Sequence, residues 1–215
     1  MKKLLRYAFL FLVSAGVANG ATPITITFDD LPAVGPQSSE PVPQGYNGFQ
    51  WSNFYVVDPL DDPISNGGQN GVESPPNVAF NAGGLPANFS SNGAFDFDSA
   101  YMTAVWNDGL QVEVQGFVGS TLTYDNTYTL ATTGPALVNF NYFGVDEVNF
   151  IASGGTHHSG YSGGSGTQFV IDNLTVVVPE PGSILLLLFG SSVIGLSGLR
   201  SRFTNKLGWY ERASA

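Results

Sequence analysis

From residue 21 to residue 178 the chain never sustains the 3.6-residue apolar period of a helix. Short apolar-alternating runs instead succeed one another between clusters of Gly, Pro, Asn and Ser. Runs of this kind bury one side of a short strand, and many of them in succession predict an all-β domain. Strands are expected at 24–28, at 48–57 as one bent strand or two short ones, and at 77–80. Others follow at 94–97 and 101–106 around a corner, then at 136–143, 146–152 and 167–178. Leu110, Val112 and Val114 alternate with Gln111, Glu113 and Gln115, the pattern of a strand with one wet face. Residues 121–130 read similarly, with a turn near Asp125 and Asn126. Residues 59–76 and the Gly/Ser stretch 153–166 read as loops. This count of short strands predicts a two-sheet antiparallel jelly-roll sandwich.

The charges of this domain all have one sign. Residues 21–178 hold fifteen Asp and Glu and no Lys or Arg. Such a surface repels phosphates and anionic headgroups, which argues against a nucleic-acid partner. Its carboxylates must be relieved by water, backbone donors or a cation such as calcium. The chain has no cysteine, so neither disulfides nor thiol chemistry contributes.

Both ends are of a different character. Lys2, Lys3 and Arg6 precede an apolar run over 7–17, and Ala18 and Gly20 supply small residues for cleavage. This predicts a secretory signal peptide over 1–20, removed by signal peptidase. Residues 182–199 contain no charge and are followed by Arg200, Arg202 and Lys206. That run is long enough for a single C-terminal transmembrane helix with its basic end inside.

Pro179, Glu180 and Pro181, then the apolar span, then Arg200 and Arg202, resemble the PEP-CTERM sorting signal of Gram-negative bacteria. The sorting segment covers 179–206 and a short tail covers 207–215; residues 204–215 run further past the basic cluster than is usual for such tails. The resemblance implies an exosortase-type sorting protease as partner. It also implies transient anchoring in the inner membrane, then release to the cell surface or extracellular matrix. The domain between is similar, through ITFDDLP, GYNGFQWSNF, FDFDSAYMTAVWNDGLQVEVQGF, YFGVDEVNFIASGG and TQFVIDNLTV, to the β-sandwich of PEP-CTERM proteins and, in outline, to carbohydrate-binding jelly rolls.

Three sets of residues carry candidate chemistry. Asp29 and Asp30 end the first strand and Asp172 sits in the last; if the two strands are neighbours, these oxygens form a structural calcium site. Asp58, Asp61 and Asp62, with Asn66 and Asn70, make a second acidic group that reads as a solvated loop. Trp51, Trp106 and Tyr46 are the candidate carbohydrate-binding aromatics, since sugar rings stack on exposed indole and phenol faces. His157 and His158 read as solvated loop histidines, and no HExxH, GxSxG or phosphate-cradling loop is present. No pair of carboxylates stands out for glycoside hydrolysis. The sequence therefore predicts a non-enzymatic exported protein with a structural or adhesive role in exopolysaccharide or biofilm. The alternative is a carbohydrate-binding module, and a glycoside hydrolase is a distant third.

Overall fold

The computed structural model describes residues 21–32 and 38–179. The signal peptide 1–20, the sorting residues Glu180, Pro181, Arg200 and Arg202, the expected membrane helix and the 207–215 tail lie outside the described residues. Among the described residues no helix is long and apolar enough to cross a membrane.

The strands are β1 (Pro23–Ile26), β2 (Glu40–Pro41), β3 (Gln50–Ser52), β4 (Phe54–Val57), β5 (Val78–Asn81), β6 (Ala87–Ala104), β7 (Asn107–Asp108), β8 (Leu110–Val118), β9 (Thr121–Leu130), β10 (Ala136–Ser153), β11 (Thr156–His157) and β12 (Phe169–Val177). A single turn of helix, α1 (Gly67–Asn70), interrupts the loop between β4 and β5. Hydrogen bonding runs in the order β2-β4-β5-β12-β6-β10-β8-β9, with β1 on β12 and β3 on β6. Every pairing is antiparallel.

The two layers of the jelly roll are joined because β6 and β10, at 18 residues each, serve both. One end of β6, Asn88 to Ser90, pairs with β3, while Asp96 to Ala104 pairs with β12. Strands expected separately at 94–97 and 101–106, and at 136–143 and 146–152, are therefore single bent strands. Register shifts between β6 and β10 near Asn139, Tyr142 and Val145 absorb the bend without breaking the ladder. Asn141 and Gly144 supply left-handed backbone there.

The turn expected at Asp125 and Asn126 is absent. These residues pair with Gln115 and Val114 in an unbroken β9, and the chain reverses earlier, at Gly119 (φ 59°). Polar side chains mimic a turn signal here because β9 is the edge strand, with most of its residues exposed.

The core is aromatic. Phe49, Trp51, Phe54, Phe89, Phe95, Phe97, Phe150 and Phe169 are buried in one cluster. Phe89 touches Trp51, Phe95, Phe97 and Phe150 at ring-centroid distances of 5.3–6.2 Å. Aromatic pairs in these geometries add roughly 0.5–1.5 kcal/mol each beyond the area they bury.

Candidate functional site

The last strand changes partner in its middle. Val170 and Ile171 pair with β5, Leu174 to Val177 pair with β1, and Asp172 and Asn173 lie between. Asn173 takes a left-handed backbone (φ 47°), and the β6–β12 register shifts there. The side chain of Asp172, fully buried, repairs the gap: Oδ2 accepts from the backbone N–H of Glu73 (2.8 Å) and Ser74 (2.9 Å). Asp29, just past β1, accepts from Asn77 N (3.0 Å) and from the Ser74 hydroxyl (2.8 Å). Asp29 and Asp172 are thus brought together from opposite ends of the domain, as their placement in the first and last strands predicts. Burial pushes the Asp172 carboxyl up to about 6; three backbone N–H bonds oppose this, and the nearby Asp29 charge adds to it.

Asp30 points elsewhere. Its carboxylate accepts from the Tyr46 hydroxyl. Burial, then this carboxylate, holds the Tyr46 phenol above its usual range.

Of the three aromatics proposed from sequence, Trp51 is corrected by its burial. It is 3% exposed, with its indole against Phe28, Phe49, Phe54 and Phe89, and its Nε1 donates to Tyr46 O (3.0 Å). No face is free for a sugar. Alternation gives the reason: Gln50 and Ser52 face solvent, so Trp51 faces the core. Tyr46 is half-buried, packed on Phe28 and Trp51, with its hydroxyl engaged by Asp30. Trp106 remains half-exposed.

Trp106 lines a cleft of about 260 Å³, with Val57, Phe80, Val105 and Val170 on its mainly apolar walls. Asp62, Asn66, Gln168, Ser38 and Ser39 supply the polar part. The 58–70 segment is an ordered wall rather than a free loop. Asp58 caps the turn Pro59–Asp61 through Leu60 N (3.0 Å), and Asp62 Oδ1 accepts from Ile64 N (2.9 Å). Asn66, 5% exposed, caps α1 through Gly68 N (2.8 Å) and donates to Asp62 Oδ2 (3.2 Å). Gly67 N donates to Val105 O (2.9 Å), which docks this segment beside Trp106. Asp58 and Asp62 thus cap local backbone, and Asn70 bonds Thr132 O and the Tyr161 hydroxyl instead.

The Gly/Ser stretch forms the other flank of Trp106. β11 pairs with β7, and His158 N donates to Trp106 O (2.8 Å). His158 Nδ1 lies 2.6 Å from Asp108 Oδ2, while the Thr132 hydroxyl donates to Asp108 Oδ1 (2.6 Å). Hydrogen bonds from Thr132, then from His158, hold Asp108 below the usual carboxylate value. These histidines read as solvated from sequence because neither Asp108 nor Thr132 is near them in the chain. His158 is instead the pin of the loop, and His157 lies beside Trp106 with ring centroids 6.5 Å apart. The Thr132–His158–Asp108 group does not form a relay, since both partners approach the same ring nitrogen. Among the described residues no three His, Asp or Glu converge as a metal-binding group.

The strand order defines an all-β class of fold, a jelly-roll β-sandwich. Among solved structures the chain is similar to a DUF4465 family protein from Bacteroides caccae, at 10% identity and a TM-score of 0.53, over 73% of this chain and 99% of that one. Looser matches are the CBM51 from Clostridium perfringens GH95 in complex with methyl-galactose (12% identity, TM-score 0.34, 72% of this chain and 100% of that one) and TmCBM61 in complex with β-1,4-galactotriose (9%, 0.31, 62% and 93%). The first match shows the fold; the other two superpose too loosely to extend it. No protein-family model and no curated protein matches the sequence.

Proposed function

We propose that the domain is a non-catalytic glycan-binding module displayed outside the cell, with the Trp106 cleft as its binding site. The observation that carries this is a half-exposed indole in a mainly apolar cleft whose polar lining is amide, hydroxyl and carboxylate. Such a lining stacks a pyranose face and bonds its hydroxyls, while offering no activated nucleophile or acid–base pair.

Display rests on the resemblance of residues 179–206 to a PEP-CTERM signal and of 1–20 to a signal peptide. Pro23 pairs with Val177, so the two ends of the domain leave side by side. Gln168 and Val170 of the cleft sit at the start of β12, about 24 Å along the strand from that exit. A domain held by its tail at Pro179 thus keeps the cleft at the other end of β12, free for an exopolysaccharide.

The acidic clasp has a structural part. Asp29 Oδ2, Asn173 Oδ1 and Asp172 Oδ1 surround the Ser74 hydroxyl at 2.8, 2.9 and 3.4 Å, three acceptors for one proton. Asn77, whose backbone N–H donates to Asp29 Oδ1, carries a buried Oδ1 with no partner among the described residues. This all-oxygen set suits calcium, which would hold β1, β12 and the 73–77 segment together without touching the cleft.

Retention of the purified protein on a polysaccharide array, with and without calcium, tests the reading. Retention of one glycan class, lost in Trp106→Ala, is the expected result. A folded protein that no polysaccharide retains would move the assignment to a structural matrix role.

A further inference from the structure

We infer that the cleft selects glycans bearing free amines, such as de-N-acetylated amino sugars, over neutral and uronate-containing ones. This rests on the reading of the Trp106 cleft as the glycan site. Proteins that take anionic sugars pair the sugar's carboxylates with Arg, Lys or a metal. Residues 21–178 contain no Lys or Arg at all, against fifteen carboxylates, so the approach of any polyuronate is opposed from a distance.

Within the cleft the charge is placed, and not merely abundant. Asp62 is a lining residue. Its carboxylate receives one backbone N–H, from Ile64, and one amide N–H, from Asn66, and no cationic group. An ionised carboxylate offers about four acceptor positions, so it retains capacity for an ammonium. Asp58 and Asp61 stand near it in the same segment without lining the cleft, and Asp61 is exposed. On another wall stands Trp106, whose ring face attracts cations as well as pyranose C–H groups. A neutral sugar gains the stacking and the bonds to its hydroxyls. An amino sugar gains these, together with the ring's attraction for its charge and an ionised carboxylate partner for its ammonium.

The test uses the full-length protein in mild detergent and glucosamine hexamers, β-1,4 and β-1,6 linked, each beside its N-acetylated counterpart and a polyuronate of similar length. The free-amine hexamer should bind roughly three- to tenfold more tightly at low salt, with the gap narrowing as salt screens exposed charge. Asp62→Asn should abolish the gap, lowering affinity for the free-amine hexamer far more than for the N-acetylated one. Because the new amide would face Asn66 Nδ2, Asp61→Asn, which disturbs none of these bonds, is measured beside it and should narrow the gap. Equal binding of amine and acetylated forms, or tighter binding of the polyuronate, would overturn the selectivity and leave the glycan site standing. Retention of none of them would overturn both.

Discussion

Asp29 and Asp172 meet across a single hydroxyl, with Ser74 Oγ 2.8 Å from Asp29 Oδ2 and 3.4 Å from Asp172 Oδ1. The contact closes the place where β12 exchanges β5 for β1, so the carboxylates substitute for missing ladder bonds. Asp172→Ala would leave the N–H groups of exposed Glu73 and half-buried Ser74 without their acceptor. That should cost about 1–3 kcal/mol, by urea denaturation, since two hydrogen bonds to one carboxylate are lost together. Asp172→Asn keeps an acceptor at the same position and should cost less.

The same residue gives the stability a distinctive pH dependence. Asp172 titrates near 6 in the folded protein and near the ordinary 3.8 when unfolded. Between these values the native state holds a proton that the unfolded chain has lost, so this contribution is complete below pH 3.8 and disappears as pH rises through 6. Its ceiling is about 3 kcal/mol. Denaturation at pH 4.5 and 7.5 in a chelator should show wild type losing stability at the higher pH by more than Asp172→Asn does. Equal slopes would refute the assignment.

Calcium should act in the opposite sense at the same place. A bound cation favours the ionised carboxylates, so adding it at pH 7.5 should raise the melting temperature and flatten the pH slope. At a concentration of 100 times its dissociation constant the gain is about 2.7 kcal/mol. Asp29→Asn should remove that gain, whereas Asp30→Asn, whose partner is Tyr46, should not. A melt indifferent to calcium and chelator would leave the clasp held by its backbone donors alone.

Two tryptophans separate stability from binding. Trp51 is enclosed by five aromatic rings, and Trp51→Ala should cost about 3–5 kcal/mol through the cavity it leaves. Trp106→Ala should leave a folded protein whose glycan retention falls by more than about tenfold, since hot-spot aromatics carry most of such binding. The opposite pattern, with binding surviving the loss of Trp106, would place the sugar site elsewhere.

The fold class was legible because alternation is local: Leu110, Val112 and Val114 face the core and Gln111, Glu113 and Gln115 do not, as the pattern says. The Asp29–Asp172 approach was legible too, because it needs only that the first and last strands be neighbours. What failed was anything set by a partner distant in sequence. The apparent turn at Asp125 is an edge strand whose wet positions copy turn chemistry. Alternation sets Trp51 on the face of β3 opposite Gln50 and Ser52, but that this face is the enclosed one is settled by the packing of β3 against β6. His158 acquires its role from Asp108 and Thr132, 50 and 26 residues away.

Gly164 offers the finest probe of the cleft's second flank. A Cβ there would fall 2.1–2.6 Å from the Cζ2, Cη2 and Cε2 atoms of Trp106, so the loop backbone lies directly against the indole. Gly164→Ala must push the loop or the ring aside, while Asp108, His158 and Thr132 stay in place beneath. It should therefore weaken glycan binding about three- to tenfold with a stability change under about 1 kcal/mol, as expected for a substitution outside the core. Asp108→Ala attacks the pin instead, removing the acceptor of both His158 and Thr132; the loop should then be cut faster by a nonspecific protease. Asp108 titrates below the usual carboxylate range, so this pin is present above pH 3.8 and is lost only as pH falls through its lowered value. Unchanged binding in Gly164→Ala would mean that the indole face covered by the loop takes no part in recognition, and that sugar meets Trp106 from the Phe80 side alone.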